Sequence, residues 1–111
     1  MSNRFLSIAA VSVGLLTATQ TFAQSTVDGM IAASSLGSVL AAEKPCGFTY
    51  DQTAIQKWII KHVRDDDMGF APMLHLMTTG HAEEISEMSS SARTAFCSQS
   101  GRVARANGFI Q

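Results

Sequence analysis

Met73, Met77 and His81 recur at steps of four within the stretch "MLHLMTTGHAEEISEM", residues 73–88. On a helix this spacing stacks two thioethers and one imidazole along one side. That is a soft ligand set suited to Cu(I), with His75 or Met88 as a candidate fourth ligand. His75, however, lies about 200° round the helix from Met73 at 100° per residue, so the set is short of a ligand on that face. The stripe Met73, Met77 and Met88 is also what an amphipathic helix uses to fill a core, because an unbranched thioether adapts to irregular gaps. A packed core is the simpler reading of the three residues, a copper carrier or buffer the sharper one, and no cofactor is expected.

Other residues with chemical potential carry less. Asp65, Asp66 and Asp67 fail as an EF-hand loop because the twelfth position counted from Asp65 is Leu76 rather than Glu, so a solvated capping cluster is expected. His62 falls on the apolar side of its helix and is expected to be a buried or boundary packing residue held by a hydrogen bond. A histidine there could switch an interface on acidification, joined by His75 and His81. Glu83, Glu84 and Glu87 form an acidic patch, but nothing sets two carboxylates across a cleft. Ser89, Ser90 and Ser91 read as capping residues, no G-x-S-x-G is present, and an enzyme is not expected. Arg93, Arg102 and Arg105 make a basic strip that would meet an acidic partner or anionic lipid, or simply face solvent.

The elements that must position these residues begin with an export signal. Arg4 precedes an apolar, uncharged run, "FLSIAAVSVGLLTAT", and Thr21 and Ala23 are the small residues a signal peptidase needs, which places cleavage after Ala23. The run is about 15 residues, short of the roughly 20 that span a bilayer, so no stable membrane anchor is expected after cleavage. The mature chain, residues 24–111, is one small domain with a modest core. Cleavage removes only Arg4 among the charged residues, leaving seven basic against nine acidic and a net charge of −2, too little positive charge for a nucleic-acid footprint. Cys46 and Cys97 remain, and in an exported chain an even pair is most simply one disulfide. No C-x-x-C occurs, which argues against thioredoxin-type redox chemistry and covalent haem.

Residues 24–44, rich in Ala, Ser and Gly, carry a weak apolar stripe of Val27, Ile31, Leu36, Val39 and Leu40 broken by Gly29 and Gly37. A weakly helical or flexible segment is expected there, whose apolar side could await a partner. The helical domain proper is expected over 45–111. Asp51 is the expected N-cap of a helix carrying Ile55, Trp58, Ile59, His62 and Val63, with Tyr50 placed to pack on Ile55 and Lys57, Lys61 and Arg64 assigned to the opposite face. The aspartate run ends this helix and offers N-caps to the next. That next stretch, about 69–88, tolerates Pro72 only in its first turn, and Gly80 leaves open whether it is one helix or two. Ser89 caps a last helix with Ala92, Phe96 and Val103 on one side, and "NGF" predicts a stop with Gly108 in the left-handed region and Phe109 folded back. The expected fold class is all-α, a small bundle of three to four helices pinned by one disulfide.

Beyond these patterns, a series of short marks stands in order: Cys46-Gly47, Met73-Leu74, Met77-Thr78, Gly80, Met88-Ser89, Ser91-Ala92, Cys97, Arg102-Val103-Ala104-Arg105 and Gly108-Phe109-Ile110. Over roughly residues 44–111 the chain resembles a group of small exported two-cysteine bacterial proteins of unknown function. Its members are often mislabelled "signal recognition particle". That particle's protein is a large cytosolic GTPase, whereas this chain has an export signal and no G-x-x-x-x-G-K-[ST] phosphate loop. The resemblance implies no activity and transfers no functional residue.

The sequence thus points to a periplasmic or secreted, non-catalytic binding or accessory protein. It would act on another protein through an apolar helical face, in a stress or chaperone-like role. Small two-cysteine helical acid chaperones of the periplasm offer an analogy of size and cysteine number only. The alternative is a periplasmic copper carrier or buffer using Met73, Met77 and His81, and a carrier with a small-ligand cavity between its helices is a third.

Overall fold

The computed structural model describes residues 18–111, with side chains from 27 onward. The apolar run and cleavage motif of the expected export signal lie outside those side chains. The described chain is all-helical: α1 (Ala18–Ala41), α2 (Gln52–His62), α3 (Phe70–Glu87) and α4 (Ser90–Ala106). No helix among the described residues is long and apolar enough to cross a membrane.

The alanine- and glycine-rich 24–44 segment, expected to be weakly helical or flexible, is helix as far as Ala41 and supplies Ala32, Ala33, Leu36 and Val39 to the core. Gly37 shows why its glycines are not simply a cost. A Cβ there would stand 3.0 Å from Met77 Cβ and 3.1 Å from the Thr78 backbone nitrogen, so α1 and α3 touch almost backbone to backbone. Nearer its start, α1 passes the Asp67 carboxylate at Gly29. Because Gly29 meets Asp67, three residues before α3, and Gly37 meets the middle of α3, the two helices run parallel. They make the most extensive helix–helix contact of the fold.

Past α1 the chain makes one more hydrogen-bonded turn and stops at Gly47. Gly47 has φ 71°, Phe48 N–H donates to Glu43 O at 2.8 Å, and Gly47 N–H donates to Lys44 O at 3.3 Å. This is a Schellman stop, which needs a residue without a Cβ in the left-handed position. The expected "NGF" stop of α4 is the same device. Gly108 has φ 75°, Phe109 N–H donates to Ala104 O at 2.8 Å, and Gly108 N–H donates to Arg105 O at 3.0 Å. The Cys46–Cys97 disulfide, with Cα atoms 5.4 Å apart, ties the first stop to α4. One turn further on, Phe48 lies over Gly101, where a Cβ would be 3.2 Å from the ring.

The phenylalanines of the two stops flank Tyr50, at ring-centroid distances of 6.0 Å for Phe48 and 5.9 Å for Phe109. The Tyr50 hydroxyl donates to Val39 O at 2.8 Å, occupying a carbonyl at the end of α1. Its backbone N–H donates to Glu43 Oε2 at 2.6 Å. Burial, and secondarily the charge of Glu43, push the Tyr50 phenol up to about 12. In the unfolded chain it titrates near 10. Between those values the unfolded chain releases a proton that the folded chain keeps, so this group's stabilisation is complete below about pH 10 and is lost as pH rises towards 12. Tyr50→Phe is expected to cost about 1 kcal/mol at neutral pH and to flatten the alkaline loss, as read by thermal melts at about pH 8 and pH 11.

Asp51 caps α2 as expected, its Oδ1 accepting from Thr53 N–H at 2.9 Å and Ala54 N–H at 3.4 Å, and Tyr50 and Ile55 are buried in the same core. Ser89 caps α4 through Ala92 N–H at 3.2 Å. The aspartate run does not cap α3. The N-cap is Gly69 with no side-chain bond, because Met68 and Gly69 separate the run from the helix. Asp66 instead pairs with Arg64 at 2.9 Å, and Asp67 Oδ1 accepts from Gly69 N–H at 3.2 Å. The Arg64 guanidinium holds the Asp66 carboxyl below its usual range, but the pair is exposed and adds little to stability.

α3 is one continuous helix through Gly80, with Pro72 in its first turn. A Cβ at Gly80 would meet nothing within 4 Å. Gly80→Ala is therefore expected to stabilise by about 0.5–1 kcal/mol, seen as a higher melting temperature by circular dichroism. Of the expected inward residues of α4, Val103 packs against the core and Phe96 is half-buried, but Ala92 is exposed. Ser100, Gly101 and Ala104 are buried, because small residues there let Phe48 and the first stop sit close.

Candidate functional site

Met73 and Met77 are half-buried and pack against the core, Met77 lying directly under Gly37. Their thioethers belong to the α1–α3 contact. His81 follows on the same helix with its side chain 28% exposed and its Nδ1 3.5 Å from Glu84 Oε2, while its buried Nε2 has no hydrogen-bond partner among the described residues. His75 is exposed on another side of α3, and Met88 is the half-buried C-cap. No group of three or more His, Cys, Asp or Glu residues among those described could hold a metal ion. The structure thus keeps the three expected residues on one helix but gives two of them packing work.

His62 is exposed rather than buried or at the boundary. Its ring nevertheless packs. It stacks on Trp58 with centroids 4.2 Å apart and planes 21° apart, and Nδ1 meets Trp58 O at 2.8 Å. A carbonyl accepts only, so Nδ1 is the protonated nitrogen of the neutral ring. Arg93 leaves the expected basic strip, for its Nη2 donates to Ile85 O and Ser86 O at 3.4 Å each and closes the end of α3. Arg105 lies beside Gly101, and Arg102 is exposed.

Two surface features remain after this placement. The first is apolar: Val27, Met30 and Ile31 lie on one side of α1 at spacings of three and four, with exposures of 51%, 45% and 60%. They lie on the side of α1 away from its buried residues Ala32, Leu36 and Val39. The second is an open groove of about 460 Å³ between α2 and the capped end of α4, walled by Ala54, Lys57, Trp58, Lys61 and His62 on one side and Asn107 and Gly108 on the other. The sequence reading missed it by assigning Lys57 and Lys61 to the face opposite Trp58. Ala54, Lys57, Trp58 and Lys61 follow the i, i+3, i+4, i+7 pattern of a single helical stripe, which was the available signal.

Comparison of the chain with protein-family models, with curated proteins and with solved structures finds no match.

Proposed function

We propose that the chain is a small exported, non-catalytic binding or accessory protein, periplasmic or secreted, that engages another protein through the apolar face of α1. The observation that carries this reading is the exposure of Val27, Met30 and Ile31 at consecutive positions of one helical stripe. Three large apolar side chains side by side in solvent are a surface in want of cover, whereas singly scattered ones would signify nothing. The Cys46–Cys97 disulfide and the resemblance of residues 44–111 to small exported two-cysteine proteins agree with it. A chaperone-like role follows if the client is an unfolded protein.

The test is suppression of aggregation of a heat-denatured model enzyme, followed by light scattering at neutral and acidic pH. The mature chain suppresses scattering, and the Val27→Ser, Met30→Ser, Ile31→Ser triple variant, still helical by circular dichroism, does not. Equal scattering with and without the protein at both pH values would sink the chaperone role, and equal suppression by the variant would remove the α1 face.

A copper(I) carrier is the second reading, favoured by the unpartnered Nε2 of His81. It requires Met73 and Met77 to leave the core packing they occupy. Equal Cu(I) affinity of the native fold and of a Met77→Ala, His81→Ala variant would exclude it.

A further inference from the structure

We propose that the groove between α2 and the end of α4 binds a small carboxylic acid with a flat apolar body. This site lies apart from the exposed α1 face and stands or falls independently of it.

The argument starts from the floor. Trp58 is half-buried and His62 stacks nearly parallel on it at 4.2 Å, so the imidazole covers part of one indole face and the stack offers an outer aromatic face to the groove as a shelf. The hydrogen bond from His62 Nδ1 to Trp58 O fixes that shelf before any ligand arrives. A flat apolar group covers such a shelf with little loss of side-chain freedom, since the side chains it meets are already ordered.

Charge then selects among apolar molecules. Lys57 and Lys61 line the same groove one helical turn apart, close enough to address one carboxylate together, and neither forms an ion pair among the described residues. Asp51 is the sole acidic residue of the lining, and its Oδ1 already accepts from Thr53 and Ala54 N–H. The end of α4 across the groove would oppose an anion if its carbonyls were bare. Three of them are engaged instead: Asn107 Nδ2 donates to Val103 O at 2.9 Å, and the Schellman bonds occupy Ala104 O and Arg105 O. The charged side chains of the lining, two lysines against Asp51, leave it formally cationic, and at about 460 Å³ its volume falls in the lower part of the range of small-molecule sites.

Trp58 is the only tryptophan in the chain, so its fluorescence reports on the groove alone. The experiment titrates the mature, oxidised protein with 3-phenylpropionate and, in parallel, with the uncharged 3-phenylpropionamide. The expected result is a saturable change in Trp58 emission with the acid in the millimolar range and weaker binding of the amide. A Lys57→Gln, Lys61→Gln variant, both positions being exposed, keeps its helicity and binds the acid about five- to tenfold more weakly, the scale of two exposed ionic contacts. Trp58→Leu, followed by ligand-observed NMR, loses the acid. No saturable change, an amide that binds as tightly as the acid, or undiminished affinity in the lysine variant would each overturn the proposal.

Discussion

Cys46→Ser combined with Cys97→Ser is expected to lower stability by about 4 kcal/mol and to shift the urea midpoint far towards zero denaturant. The disulfide spans a sequence separation of 51 residues. Without it the unfolded ensemble regains the freedom of that loop, which the chain-entropy relation puts at about 4 kcal/mol for a loop of about 50 residues. A single core in so short a domain supplies only about 3–5 kcal/mol, so the bond and the core are of the same size. Native-state losses add to this, because the bond holds the stop after α1 against α4, where Phe48 covers Gly101. Urea denaturation of the oxidised protein and the double variant, followed by circular dichroism, measures the difference. Coincident transitions would show that the helices hold together without the cross-link.

Gly37→Leu carries the second largest expected effect. At this position the first atom of any side chain already stands 3.0–3.3 Å from Met77 and the Thr78 backbone, and backbone does not move aside as a flexible side chain does. Leucine adds three further carbons there, and overpacking of this kind costs about 1–3 kcal/mol. The gain in helix propensity over glycine, about 1 kcal/mol, offsets part of it. Gly37→Ala, with the same propensity gain and a much smaller intrusion, is expected to lie within about 1 kcal/mol of the parent. The leucine variant should also bind an apolar-surface dye, since forcing α1 off α3 uncovers Leu36, Met73 and Met77. A leucine variant as stable as the alanine one would mean that the two helices are not pressed together at Gly37.

The same glycine explains where the sequence was hard to read. Glycine counts as a cost in any propensity argument, and so the 24–44 stretch looked loose. Its value lies in a contact with residues 77 and 78, which no local window contains. Part of the α4 face escapes the sequence for a related reason: Ser100, Gly101 and Ala104 are buried because they are small, and small residues leave no mark in a hydrophobic period, whereas Val103 packs inward as expected. Signals confined to neighbouring residues were plain. Asp51, Ser89 and the Gly108-Phe109 stop act through hydrogen bonds two to five residues long, and each formed as its residues suggested. The Met73, Met77 and His81 stripe was legible as a face of α3, but not the burial that packs its sulfurs against the core. The groove joins Trp58 to Asn107 and Gly108 across about 50 residues, a pairing that helical periodicity cannot supply.

The parallel course of α1 and α3 sets the pace at which this chain reaches its native state. In an up-and-down bundle each helix finds its neighbour across a short turn, and the search is brief. Here the closest helix contact joins Gly37 to Met77, and about 40 residues, α2 among them, must be drawn into a loop before that contact offers any reward. Chains whose stabilising contacts are distant in sequence fold more slowly than those whose contacts are local, helical or not. This protein therefore has the secondary structure of a fast folder, while its topology predicts the kinetics of a slower class, with α1 unable to seat before α3 has formed.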